Sequence, residues 1–64
     1  MKKFIGLTTQ EAMDLALAQG REVEYFEGNE DEYERLEVST CEGNGAALLI
    51  EDGVVFEYEY LDWI

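Results

Sequence analysis

The chain has no histidine and one cysteine, Cys41. A Ser-His or Cys-His nucleophile therefore has no imidazole to activate it. Cys41 stands among acidic residues, which raise a thiol pKa rather than lower it, so a structural or partly exposed cysteine is expected. Carboxylate pairs are abundant. Glu57 and Glu59 lie two residues apart on a strand-like run, which puts them about 7 Å apart on one face. Two carboxylates flanking a cleft can hydrolyse a glycoside. Sixty-four residues with no second layer to wall a pocket are a poor host for that chemistry. Asn29, Asp31, Tyr33 and Glu34 match a calcium loop only in density of oxygen. The Asp-x-Asp-x-Asp-Gly spacing and the sixth-position glycine are missing, so weak divalent-ion binding is expected but no specific metal site. The reading is of a chain without enzymatic activity and without a cofactor.

What remains is recognition by charge. The net charge is -12, and the residues from 21 onward, with fourteen acids against Arg21 and Arg35, carry all of it. A surface of that sign repels phosphate, which argues against direct contact with nucleic acid or an anionic membrane and for a basic protein partner. Glu22, Glu24, Glu57 and Glu59 fall at strand spacing, and Glu30, Asp31, Glu32, Glu34 and Glu37 extend the field. The residues expected to meet a partner are Glu30, Asp31, Glu32, Glu34, Glu57 and Glu59. Tyr33 is an aromatic anchor in the middle of the acidic loop. The plainer reading of the same acids is solubility.

These side chains need a scaffold. Asp52-Gly53, between the apolar runs Ala46–Ile50 and Val54–Tyr60, is a strong hairpin signal, because a two-residue turn needs positive φ at both central positions. It sets Glu51 against Val54, Ile50 against Val55, Leu49 against Phe56 and Ala47 against Tyr58. One face then holds Ala47, Leu49, Val54, Phe56, Tyr58 and Tyr60. The other holds Leu48, Ile50 and Val55, then Glu57 and Glu59. Ala46–Ile50 is apolar on both faces, as a central strand is. A second turn at Asn44-Gly45 would set Thr40 against Leu49 and Val38 against Glu51, placing Leu36, Val38 and Thr40 on the face of Leu49 and Phe56.

Upstream, Thr8 and Glu11 form a capping box for a helix over Thr8–Gln19, and Gly20 suits the left-handed residue that ends it. Ala12, Met13, Leu15, Ala16 and Leu17 form its apolar stripe. Lys2–Ile5 reads as a short edge strand. Arg21–Glu27 alternates and reads as a further strand. A tight hairpin at Gly28-Asn29 would oppose Glu27 to Glu30, so residues 28–34 read as a longer exposed loop. The expected fold is α+β: one domain over residues 1–64, with an N-terminal helix packed on a small, mainly antiparallel four-stranded sheet that ends in a three-stranded meander.

A domain this small buries only about 60% of its extended-chain surface, and neither a disulfide nor a Cys/His zinc site is available to staple it. Self-association, as a homodimer through Leu48, Ile50, Val55 and Trp63, is one way to bury more. Trp63 and Ile64 either pack on the sheet or form the sticky end of such a pair. No run approaches the length of a membrane span, and MKKFIGLTTQE lacks the apolar core of a secretion signal. The unpaired cysteine favours a reducing compartment, so a cytoplasmic location is expected, in the host cytoplasm if a phage encodes the chain.

Two resemblances follow from these residues. In size and charge the chain resembles the DNA-mimic inhibitors that phages use against host defence or nucleic-acid enzymes. The resemblance implies that the carboxylate rows stand in for a phosphate backbone and mask a basic, nucleic-acid-handling partner. In element order, Gly6-Leu7-Thr8-Thr9-Gln10-Glu11-Ala12, then Glu22–Phe26, an exposed loop and Leu48-Leu49-Ile50-Glu51-Asp52-Gly53-Val54-Val55 resemble the potato inhibitor I family of serine-protease inhibitors. That resemblance implies a protease-binding loop after the first strand, braced from the strand that follows. The corresponding loop here, Glu27–Glu34, has no proline or threonine, and Arg35 alone is placed to brace it.

Overall fold

A computed structural model describes residues 1–40 and 44–61 of the chain. Its elements are a 3-10 turn at Lys2–Phe4, helix α1 at Thr9–Ala18, and strands β1 (Val23–Phe26), β2 (Glu34–Ser39), β3 (Gly45–Glu51) and β4 (Val54–Leu61). The strands form one antiparallel sheet in the order β1-β2-β3-β4. The α+β class, the N-terminal helix and the meander are as the sequence indicates, and β3 is an interior strand.

Local signals set the helix ends. The Thr8 hydroxyl accepts from the Glu11 N–H, and the Glu11 carboxylate accepts from the Thr8 N–H, so two free donors at the helix start are satisfied. Gly20, at φ +75°, follows the last turn in the left-handed conformation. Ala12 and Ala16, four residues apart, are both fully buried. Two small side chains on one helical stripe let the helix backbone approach the sheet closely. Met13 and Leu15 flank them and pack on the core. Leu17 lies off the stripe and is 56% exposed, because its position is rotated about 140° around the helix from Ala12 and about 100° from Ala16.

Asp52 (φ 53°) and Gly53 (φ 77°) take the two positive angles of a type I′ turn. Glu51 pairs with Val54 and Ile50 with Val55, as that turn requires. Beyond them the register shifts: Leu49 pairs with Glu57, Leu48 with Tyr58, Ala47 with Glu59 and Ala46 with Tyr60. Phe56 is the extra residue of a β-bulge, and one extra residue turns the rest of the strand over. Tyr58 and Tyr60 therefore share a face with Leu48, and Glu57 and Glu59 share one with Ala47 and Leu49. This reverses the expected assignment.

The expected Asn44-Gly45 register is also corrected. Ser39 pairs with Gly45 and Val38 with Ala46, so the connection spans residues 40–44. The Asn44 carbonyl accepts from both the backbone N–H and the hydroxyl of Thr40. Cys41, inside that connection, lies outside the described residues, as do Trp63 and Ile64. Leu36 and Val38 consequently face α1 together with Ala46, Leu48, Ile50 and Val55. These six residues, with Phe4, Ala12 and Ala16, make the buried core. Leu48, Ile50 and Val55 are at most 1% exposed, so the expected self-association face is already covered by the chain's own helix.

The N-terminus is the third correction. Lys2–Phe4 is a 3-10 turn, not a strand, and it buries Phe4 to 2% exposure while leaving both lysines in solvent. After the turn, Gly6–Thr9 runs along the start of β4. Gly6 N–H donates to the Val55 carbonyl, Val55 N–H to the Leu7 carbonyl and Thr9 N–H to the Gly53 carbonyl. Among the described residues, no helix is long and apolar enough to cross a membrane.

Candidate functional site

The sheet face opposite α1 carries most of the candidate residues. The register builds it in rows. Glu24 stands opposite Glu37, Glu37 opposite Ala47, and Ala47 opposite Glu59. The next row is Phe26, Arg35, Leu49 and Glu57. Adjacent strands are about 4.8 Å apart, so the first row sets three carboxylates across four strands with only a methyl side chain between them. Ala47 is 2% exposed and lies in the floor of a groove between Glu37 and Glu59.

Arg35 organises the middle of the face. Its Nε donates to Glu37 at 2.9 Å, its Nη1 lies 3.4 Å from Glu32, and its guanidinium sits 4.3 Å from the Phe26 ring centroid. The hydrogen bond to Glu37 raises the Arg35 pKa above its ordinary value, partial desolvation opposes this, and the charges of Glu37 and Glu32 add to it. Arg35 keeps its charge and relieves the like-charge opposition of Glu24 and Glu37. The contact with Glu32 is Arg35's one hydrogen bond to the loop among the described residues. The groove, shallow and of about 360 Å³, runs from Asp31, Glu32 and Tyr33 across to Leu49, Glu59 and Leu61.

The loop before β2 is compact. The Asn29 side-chain oxygen accepts from the N–H groups of Asp31 and Glu32, and Asn29 N–H donates to the Glu32 carbonyl. Gly28 is where this loop closes on itself. A β-carbon there would run into the backbone of Glu32, Tyr33 and Glu34. Gly28→Ala is expected to destabilise the fold by about 1–3 kcal/mol, because backbone rather than a flexible side chain must move. Urea denaturation checks this, and an unchanged midpoint would show that the loop rearranges freely.

The expected partner residues divide between two sides. Asp31, Glu32, Tyr33, Glu57 and Glu59 border the open face, and Glu30 projects from the same loop. Glu34 does not join them. It pairs with Ile50 on the helix side of the sheet, where its carboxylate accepts from the Tyr25 hydroxyl. Tyr33 is 53% exposed but not free, since it meets Phe56 edge-on with ring centroids 4.9 Å apart. Glu24 and Glu37 join the face through the register alone. Their strand spacing is visible in the sequence, but the row they form with Glu59 depends on the corrected pairings. Among the described residues, no three His, Cys, Asp or Glu side chains converge as a metal site would require.

The Tyr25–Glu34 contact gives a pH prediction. The hydrogen bond to Glu34, with smaller contributions from desolvation and from the charges of Glu34 and Glu27, raises the Tyr25 pKa above 10.0. A raised folded-state pKa contributes stability that is complete below the unfolded value and is lost as pH rises through the folded one. Tyr25 is thus expected to ionise late in an ultraviolet titration, and Glu34→Gln is expected to move its ionisation to lower pH. A Tyr25 that titrates unchanged in Glu34→Gln would rule out the contact as the cause.

Comparison with protein-family models, with curated proteins and with solved structures finds no match.

Proposed function

We propose that this chain is a non-enzymatic acidic interaction protein whose open sheet face masks a basic, nucleic-acid-handling partner. The observation that carries the reading is the row Glu24–Glu37–Ala47–Glu59. It holds three carboxylates at strand spacing on a sheet face that no described element covers. A site built to hold phosphates presents lysine and arginine, and a row of carboxylates fixed on strands is a preorganised counterpart. Apolar ground between the acids, from Leu49, Phe26 and the Tyr33–Phe56 pair, supplies area that a purely solubilising surface does not need. The Asn29 turn folds the preceding loop into a compact shape and presents little extended backbone to a protease cleft.

The test is capture of partners from host lysate on the immobilised chain, eluted with a salt gradient and, separately, with double-stranded DNA. The expected partner is basic, leaves as salt rises and is displaced by DNA. A partner whose retention is indifferent to about 1 M salt, where the screening length is about 3 Å, would show that charge does not carry the contact.

A further inference from the structure

The outer edge of β4 is only partly used by the chain itself. Gly6–Thr9 pairs with it as far as Val55, and then the backbone turns away at Gly6. Val55 directs its N–H and carbonyl outward to that segment. Past the Phe56 bulge the alternation resumes with Glu57 and Glu59 bonded towards β3, which turns the backbone groups of Tyr58 and Tyr60 outward. The hydrogen bond from the Tyr58 N–H to the carboxylate of its neighbour Glu57, at 3.1 Å, agrees with this direction. No other described residue bonds to this stretch of edge. It is part of an eight-residue strand without proline or lysine, two of the usual guards of an exposed edge. The other edge strand, β1, has four residues.

We infer that the β4 edge from Tyr58 to Leu61 takes an extended basic segment of a partner as a fifth strand. The inference rests on the basic-partner reading above and adds the mode of recognition. Main-chain bonds to an added strand supply affinity, and alternate side chains supply specificity. Here Glu57 and Glu59 point to the open face, and Tyr58 and Tyr60 to the other, with their rings edge-to-face at 5.5 Å. The complementary strand alternates lysine or arginine with apolar or aromatic residues. Glu57 makes the site two-way. While the edge is empty, its carboxylate occupies the Tyr58 N–H. When a strand arrives, the partner's carbonyl takes that N–H and the released carboxylate meets a cation. A second copy of this chain is selected against, because two β4 edges would bring glutamate against glutamate.

The experiment uses the ¹⁵N-labelled full chain and three short peptides. One alternates lysine and valine, one has the same composition with its lysines in a single block, and one is the alternating peptide N-methylated on the amides that would face Tyr58 and Tyr60. The alternating peptide is expected to bind at least about tenfold more tightly than the other two, and to slow hydrogen exchange at the Tyr60 amide. Tyr60→Pro is expected to abolish that difference while leaving the fold intact, since the lost N–H points away from β3. Equal affinity for all three peptides, lost with salt, would overturn strand addition and leave the basic-partner reading standing. Failure of every peptide to bind at low salt would remove both. A dimer in sedimentation that the alternating peptide does not dissociate would assign the edge to a second copy and overturn the proposal.

Discussion

Phe4→Ala is expected to leave a large share of the molecules unfolded at room temperature. Removing a buried phenylalanine side chain costs about 3–5 kcal/mol. At about 0.05–0.15 kcal/mol per residue, a chain of 64 residues has roughly 3–10 kcal/mol in total. Phe4 is among the largest fully enclosed side chains, and it enters the core from a 3-10 turn of three residues rather than from the sheet or the helix. It also holds the start of the chain where Gly6–Thr9 can pair with β4, so its loss weakens the strap as well as the core. Urea denaturation gives the comparison. Phe4→Leu, which keeps most of the volume, is expected to cost less than about 1.5 kcal/mol. Leu17→Ala, at an exposed helix position, is expected to stay within about 0.5 kcal/mol. A Phe4→Ala midpoint equal to that of Leu17→Ala would mean that the N-terminal turn is no part of the core.

Phe4 also shows where reading the chain as a string stops working. Signals contained within a few residues were legible: the Thr8–Glu11 capping box, Gly20 after the helix, the Asp52-Gly53 turn, the loop after β1. Each is decided by backbone conformation and hydrogen bonds among residues close in the chain. The Asn44-Gly45 signal gave the wrong register, and two further features were not legible because they depend on what the rest of the molecule needs. Lys-Lys-Phe-Ile suits an edge strand locally, but the core has a space for one aromatic ring, and a tight turn delivers it. Val54-Val55-Phe56 is three apolar residues in succession, so alternation cannot say which one is out of phase. The bulge at Phe56 resolves it by burying Val55 and letting Tyr58 pack on the core. The bulge and the shifted 40–44 connection each turn β3 over against a neighbour, so together they keep Glu37 on the face of Glu57 and Glu59 and bring Ala47 and Leu49 there in place of Leu48 and Ile50. The acidic residues, and the alternation that separates Glu34 from Glu37, were therefore legible, whereas the alignment of Glu24, Glu37 and Glu59 in one row, on the face away from the helix, was not.

That division makes the strongest binding prediction one of position rather than of total charge. Glu24→Lys with Glu59→Lys reverses both ends of the carboxylate row and leaves Glu37 held by Arg35. Like charges brought together across an interface cost several kcal/mol, so affinity for the proposed basic partner is expected to fall about a hundredfold or more. Asp14→Lys with Glu34→Lys changes the net charge by the same amount on the helix side of the molecule and is expected to change affinity by no more than about threefold, the effect of a weakened long-range field alone. Stability should move the other way. A chain at net charge -12 repels itself, and the two open-face substitutions place cations next to Glu37 and the remaining acids. Melting at low salt is therefore expected to rise or hold in the same double mutant that loses its partner. Melting temperature and affinity would then part company, which a mutant that merely unfolds cannot produce. Equal losses of affinity in the two double mutants would mean that the partner senses the charge of the whole molecule and not this face.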